Sequence, residues 1–437
     1  MTQGFVDAGF RPVGGVEKDR DSIRSYAQNF HPGVSERYET PFDITQALPE
    51  TVLTALDVNP CEIDVIVGGP PCPAFANIGR AKLAEINKND PHAYLKDPRA
   101  QLRHQYLEWV DYIQPNVLLM ENVPGILNWG GTNVGDEICK SLKEKGYKPV
   151  YAVLNSANYG VPQSRKRFFL VAVHKDLASV DEFTFPEETH ADTKHRQDTL
   201  QLRKRSGHQA AKELKNGYRR FPRTDSDPKP LVSVQDALED LPRINAAKDR
   251  YKRADEPVDP YRENGKISSY AERMRKKAGD SPQQHAKHTR AVTKRDLPLF
   301  QEMKEGDTYP AVIDIAERRY EEACKEDPMC ILHPALVDRN TLVPPYDKRK
   351  YKDKWWKLVK ANPSKTLMAH LAKDGYSHIH YDQPRMLSVR EAARLQSFPD
   401  DFEFCGSMTS AFRQIGNAVP PDMARVLATA IKKILPS

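Results

Sequence analysis

The chain has 437 residues, long enough for two domains with separate cores. Hydrophobic residues make up 39% and charged residues 29%, which suits a soluble globular protein. No apolar run approaches the roughly 20 residues of a membrane span, and the opening MTQGFVDAGFRPVGG lacks the basic flank and apolar stretch of a signal peptide. The formal charge of +6 is compatible with a polyanion partner without diagnosing one.

In chain order, Ser22–Phe30 reads as a helix, and Asp43–Ile44 follows a short extended piece. Ile63–Val67 is a β-branched run ending in Gly-Gly-Pro-Pro, as a buried parallel strand would. Leu102–Ile113 has apolar residues at helical spacing, and Val117–Met120 is another buried strand, ending at Glu121–Asn122. Gly135–Lys145 is a charged helix, and Lys148–Leu154 and Arg167–Val173 read as further strands. Strands separated by helix-length segments predict a doubly wound α/β sheet.

After about His174 the chain turns polar and rich in Pro, Lys and Arg. Taken singly, KHRQDTLQLRKR, KELKNGYRRFPR and YAERMRKKAGD read as solvated helix faces or loops; together they form a positively biased insertion of the kind a phosphate-tracking surface requires. Trp355, Trp356, Tyr346 and Tyr351 sit among lysines, either to stack on nucleic acid or to form a small core. Regular structure returns with Ser388–Ser397, whose Ser followed three residues on by Glu is a capping box, and with a closing helix over Pro421–Leu435.

The six cysteines are Cys61, Cys72, Cys139, Cys324, Cys330 and Cys405. None lies in a CxxC pair or at metal-like spacing to histidine, so no zinc site is expected and the thiols suit a reducing cytosol. Five read as ordinary buried or half-buried thiols. Cys72 differs because it lies in GGPPCPAF, Gly68–Phe75, at the carboxyl end of a predicted strand. There two glycines permit a tight turn and two prolines stiffen the approach, as a nucleophile needs. The bland alternative is a plain turn with a buried thiol.

Glu121 in ENVPG ends the next strand, where a carboxyl group can donate a proton or a hydrogen bond. In QSRKR, Gln163–Arg167, the spacing of two puts Arg165 and Arg167 on one side of an extended segment, suited to a planar carbonyl or a phosphate, or simply solvated.

In this order the three blocks resemble motifs IV, VI and VIII of the bacterial-type DNA cytosine-5 methyltransferases. Further likeness lies in VEKD with Glu17, FDI at Phe42–Ile44, DPRAQL with Leu102, RMLSVREAARLQSFPDDF at Arg385–Phe402 and QIGNAVPP at Gln414–Pro421. SVQDALEDLP and HTRAVTKRDL are similar to segments flanking the family's recognition domain. The chain departs from the family in two places. It begins at MTQGF, where the family first has a strand and a glycine-rich loop, so either a misassigned start or a truncation at motif I is expected. It also has Pro73-Ala74-Phe75-Ala76 where the family has Gln, Gly, Phe and Ser, which implies lost polar contacts to DNA.

The resemblance implies a Rossmann-like methyltransferase domain over 1–175, a smaller target-recognition domain with linkers over 176–384, and a segment over 385–437 returning to the catalytic domain. It implies methyl transfer from S-adenosyl-L-methionine to carbon 5 of a flipped cytosine in double-stranded DNA. Cys72 would be the nucleophile, Glu121 would act on ring nitrogen 3, Arg165 would hold the ring carbonyl, and Asn122 and Arg167 would complete the catalytic set. Gln163 and Pro73 would touch the substrate. Glu17, Asp43, Ile44, Pro70, Leu102, Asn417 and Val419 would bind the cofactor, with no metal. A cytoplasmic, bacterial or phage-encoded monomer paired with a restriction endonuclease is the implied setting. Rival readings are a cofactor-defective relic that binds DNA, a repressor that kept the fold, and an RNA methyltransferase, whose transfer-RNA relative carries a Cys-Phe-Thr signature not found here.

Overall fold

A computed structural model describes residues 1–70, 102–177, 183–192, 218–220, 222–244, 259–262, 267–276, 278–279, 289–326, 339–349 and 354–436. The chain divides into two compact units, Met1–Leu231 with Val419–Ser437, and Val232–Ala418.

The first unit is built on four strands: β1 (Val65–Gly68), β2 (Val117–Asn122), β3 (Tyr147–Asn155) and β4 (Lys166–His174), in the order β1-β2-β4-β3. β1 and β2 are parallel, with Val65 opposite Val117. The chain between them includes the helix Leu102–Ile113, which supplies the crossover that parallel strands need. Only residues 156–165 connect β3 to β4, too short for such a crossover, so β4 pairs antiparallel with both β2 and β3. Three strands therefore share a direction and β4 runs against them, a mixed version of the expected doubly wound sheet.

Both faces of this sheet are covered, which explains why Val117–Met120 is continuously apolar and fully buried. Val117 and Leu119 point to one face with Val150, Phe169 and Val171, under Phe5 and the closing helix residues Met423, Leu427 and Ile431. Leu118 and Met120 point to the other with Phe168 and Leu170, under Tyr106, Val110, Ile138 and Leu142. The helix Val134–Glu144 starts where Asn133 accepts a hydrogen bond from the Asp136 amide and presents Val134, Ile138 and Leu142 at helical spacing. The short helix Thr2–Asp7 lies so close to the closing helix Pro421–Lys432 that a Cβ on Gly4 would stand 2.3 Å from the Pro421 carbonyl oxygen. Two further strands, β5 (Glu188–Ala191) and β6 (Thr224–Pro230), form a separate parallel pair.

The second unit holds the helices Val234–Leu238, Ser269–Arg275, Asp296–Glu302, Tyr309–Glu326, Val389–Leu395 and Met408–Asn417. Trp355 is buried and stacks on Tyr376, with ring centroids 4.6 Å apart, in a core with Phe300, Tyr309 and Val312. The expected capping box forms: the Ser388 side chain accepts from the Glu391 amide while Glu391 accepts from the Ser388 amide. Arg394 then donates to both Asp240 and Asp400. Gln396 donates to the Ile415 and Ala418 carbonyls. These links keep residues 385–418 inside the second unit. The compact units divide after Leu231 and Ala418, and 419–437 supplies the closing helix of the sheet unit. Among the described residues no helix is long and apolar enough to cross a membrane.

Candidate active site

Glu121 ends β2 and lies opposite Phe169 in β4, two residues along from Arg167. The pairing register therefore carries the Arg167 guanidinium to the carboxylate, with Nε 3.0 Å from Oε1. Both side chains are nearly buried, 14% and 13% exposed. Burial raises the Glu121 carboxyl above the usual carboxylate range, against the pull of Arg167 and Arg165. Burial likewise lowers the Arg167 guanidinium, opposed by Glu121. Arg165 is 1% exposed and is pushed down to about 9 by burial and by Arg167, with Glu121 acting the other way. The group is thus a desolvated carboxyl among three desolvated cations, Arg167, Arg165 and the Met1 ammonium. The direct ion pair to the carboxylate is made by Arg167, and Arg165 is the more deeply buried of the two arginines.

The loop after β1 starts against this group. A Cβ on Gly69 would stand 3.0 Å from Glu121 Oε2, so glycine is what lets the carboxylate lie there. Gly68 is covered in the same way, since a Cβ there would stand 2.4 Å from the Tyr106 ring. The Tyr106 hydroxyl donates to the Leu119 carbonyl, which fixes that ring under the strand ends. Asn122 donates from Nδ2 to the Pro70 carbonyl at 3.1 Å and accepts from the Val123 amide at 2.9 Å. It therefore ties the end of β2 to the segment leading to residue 72. Cys72 and Pro73 lie outside the described residues. The roles of Gly69 and Tyr106 had no sequence signal beyond the doubled glycine.

Behind the group, Gln163 is fully buried and its amide donates to the Val161 carbonyl. The turn before it is set by Gly160 at φ +84°, a left-handed conformation that favours glycine. A second cluster forms around Glu17 and Asp43. The Phe42 amide donates to the Glu17 carbonyl at 2.9 Å, and Lys18 lies 3.3 Å from the Asp43 carboxylate. Asp43 closes a turn by accepting from the Thr45 amide and hydroxyl, which holds its carboxyl below the usual range. Glu17 is exposed, and Ile44 packs with Val52, Leu53 and Trp109. An exposed carboxylate beside an apolar turn fits the hydroxyls and the flat base of an adenosyl group. Leu102 begins its helix, half-buried, and Val419 is buried in the sheet core. Asn417 is exposed at the end of its helix in the second unit.

Of the other thiols, Cys139 is buried, and burial raises it well above the usual thiol range, while Cys61 is exposed where half-buried at most was expected. Cys330 lies outside the described residues, and Cys324 and Cys405 are half-buried.

Solved structures with this fold are methyltransferases. One from E. coli, titled as a prophage-encoded DNA modification methyltransferase, superposes with a TM-score of 0.61 at 22% identity, covering 99% of this chain and 95% of that one. The Entamoeba histolytica methyltransferase EhMeth gives 0.50 at 11% identity, covering 99% and 96%. The family described as C-5 cytosine-specific DNA methylase matches residues 1–433. The chain belongs to that family, and with it to the DNA cytosine-5 methyltransferases. A protein of Oceanobacillus iheyensis named as a type II methyltransferase is 36% identical over 459 residues, covering 99% of this chain and 93% of its own length. The type II methyltransferase M.AgeI of Thalassovita gelatinovora is 28% identical over 457 residues, covering 99% and 96%.

Proposed function

We propose that this enzyme methylates carbon 5 of a cytosine extruded from duplex DNA, with S-adenosyl-L-methionine as methyl donor and Cys72 as nucleophile. One observation supports the reading most: a desolvated Glu121 is clamped by Arg167 at the end of β2, beside the end of β1 from which the segment carrying Cys72 departs. Carbon 5 of cytosine is too weak a nucleophile to be methylated directly, and its ring edge is buried in the base stack, so the base must leave the duplex. The Cys72 thiolate adds to carbon 6, forming an S–C bond and moving the ring electron pair to carbon 5. Glu121, whose raised proton affinity favours its acid form, donates to ring nitrogen 3 and spreads the developing charge. Arg167 orients Glu121 and reaches toward the ring carbonyl, and the buried Arg165 reinforces the positive field behind it. Asn122 keeps the Pro70 segment in register with Glu121. Carbon 5 then gains the methyl group, its proton leaves to a base, and the S–C bond breaks to restore the aromatic ring and free Cys72.

S-adenosylmethionine, when bound, supplies a methyl group made electrophilic by its sulfonium. Glu17 would take its ribose hydroxyls, Asp43 and Ile44 its adenine, and Pro70, Leu102 and Val419 the remaining wall. The type II names of the relatives support a restriction-modification role; a monomer acting beside a cognate restriction endonuclease is the setting we propose.

The test is transfer of a labelled methyl group to duplex DNA. Cys72→Ser is expected to abolish turnover while duplex binding survives, and a variant that still turns over removes Cys72 from the mechanism. Isothermal titration with S-adenosylmethionine is expected to show micromolar binding. Its absence would favour a DNA-binding relic.

A further inference from the structure

Residues 346–374 carry nine lysines and arginines and three aspartates, a formal charge of +6 that equals that of the whole chain. The second unit gives part of this charge a fixed geometry. Around Trp355 the exposure alternates: Trp355 and Lys357 are buried, while Lys354 and Trp356 are half-exposed on the opposite side. Trp355 is locked in the aromatic core, and Lys357 donates to the Phe300 and Met303 carbonyls, so neither can shift outward. Backbone bonds from the Trp356 amide to the Tyr376 carbonyl and from the Leu358 amide to the Ile379 carbonyl hold the segment in register.

On the outward side, two ammonium groups sit over aromatic rings. Lys354 Nζ lies 3.6 Å from the Tyr346 ring centre, and Lys365 Nζ lies 4.3 Å from the Trp356 ring centre. A ring face attracts the ammonium and restricts a long flexible side chain to few rotamers. Much of the ordering that a flexible lysine undergoes on binding is then already done. Lys354 also lies 3.5 Å from the Asp374 carboxylate, and three ammonium donors allow it to serve that group and a second anion together. A single pre-ordered ammonium could be a stray surface contact. Two on one side of a rigid segment, where the chain's positive charge is concentrated, present paired cations to a polyanion such as a polynucleotide backbone.

We infer that Lys354 and Lys365, seated on Tyr346 and Trp356, are phosphate anchors for the duplex this enzyme methylates, gripping DNA without reading its sequence. The inference rests on the DNA-methyltransferase reading and adds to it the residues of one grip and the kind of contact they make.

The experiment titrates the full chain against a fluorescein-labelled duplex of arbitrary sequence over a series of salt concentrations. One lost phosphate contact flattens the slope of log affinity against log salt by about 0.9, and weakens binding on the order of 5–10-fold near 0.1 M salt. Lys354→Gln and Lys365→Gln are each expected to show this, and the double variant about twice the change in slope. Lys354→Arg and Lys365→Arg are expected to keep the wild-type slope. So is Lys304→Gln, which removes the same charge from an exposed site elsewhere in the unit. Should Lys354→Gln lose its fold by circular dichroism because Asp374 is left alone, Lys354→Gln with Asp374→Asn makes the same test. Wild-type slopes in both glutamine variants, or equal flattening by Lys304→Gln, would overturn the assignment. If the wild type methylates duplex DNA in that case, the anchors alone are refuted. A wild type that transfers no methyl group to duplex DNA refutes the underlying reading instead.

Discussion

Two buried carboxylate–guanidinium pairs, one in each unit, have opposite proton affinities. Glu391 accepts two hydrogen bonds from the Arg385 fork, at 2.8 and 2.6 Å, and a third from the Ser388 amide, with His380 3.6 Å away. Burial alone would raise this carboxyl, but the fork and its companions take it down to about 2. Glu121 has Arg167 Nε at 3.0 Å, and there burial prevails over the pull of Arg167, Arg165 and the Met1 ammonium, and the carboxyl rises. The difference lies in how completely the lone pairs are satisfied. A fully bonded carboxylate is locked in its charged form and serves as scaffold. An incompletely bonded one keeps a proton within reach and can take part in chemistry.

Removing a partner from the scaffold pair should have the largest effect. Arg385→Ala leaves Glu391 buried and charged and is expected to destabilise the second unit by roughly 3–5 kcal/mol, measured by urea unfolding. Replacing Arg385 and Glu391 together by Met should recover most of that loss, and no recovery would show that the pair does more than satisfy itself.

Acid should act on the same unit next. His378 and His380 are buried and held down to about 3, mainly by burial, against an ordinary value of 6.5. The unfolded chain therefore takes up protons below pH 6.5 that the folded chain refuses until about pH 3. Stability is full above that window and falls through it as pH drops. Two such groups predict a loss of about 4 kcal/mol between pH 7 and 5, visible as a falling melting temperature. A flat profile would mean that the imidazoles are reached by water. Glu391 adds its own loss only below its ordinary value of 4.5, as pH falls toward about 2.

In the active pair the effect should move from stability to rate. Glu121→Gln is expected to slow methyl transfer on the order of 100-fold with the unfolding midpoint little changed, because the amide oxygen still accepts from Arg167 and the acid form that burial favours carries no charge to lose. A lowered midpoint with little change in rate would make Glu121 scaffold like Glu391. The smallest effect is expected from Gly69→Ala. Its methyl group would stand 3.0 Å from the Glu121 carboxylate and displace it slightly, slowing turnover on the order of 10-fold with duplex affinity unchanged.

Much of the secondary structure was legible because its signals are local. The apolar run Val117–Met120, the helix Leu102–Ile113 and the capping box at Ser388 all depend on neighbours within a few residues, and all appear within a residue or two of their expected ends. What escaped depends on pairing across the chain. The pairing of Glu121 with Arg167 follows from the register of β4 against β2, which spacing along one strand cannot fix. The reversal of β4 follows from the short 156–165 connection. The membership of 385–418 in the second unit follows from Arg394 meeting Asp240, a contact 154 residues apart in sequence. Cys72, the centre of the sequence reading, lies outside the described residues, so its role rests on its motif and on the Asn122–Pro70 tether that leads to it.

The most direct check is tritium release from duplex DNA labelled at carbon 5 of cytosine. Bond formation between Cys72 and carbon 6, methylation, and loss of the carbon 5 proton should release tritium in step with methyl transfer in the wild type and not at all in Cys72→Ser. Methyl transfer without tritium release, or release undiminished by Cys72→Ser, would contradict the account.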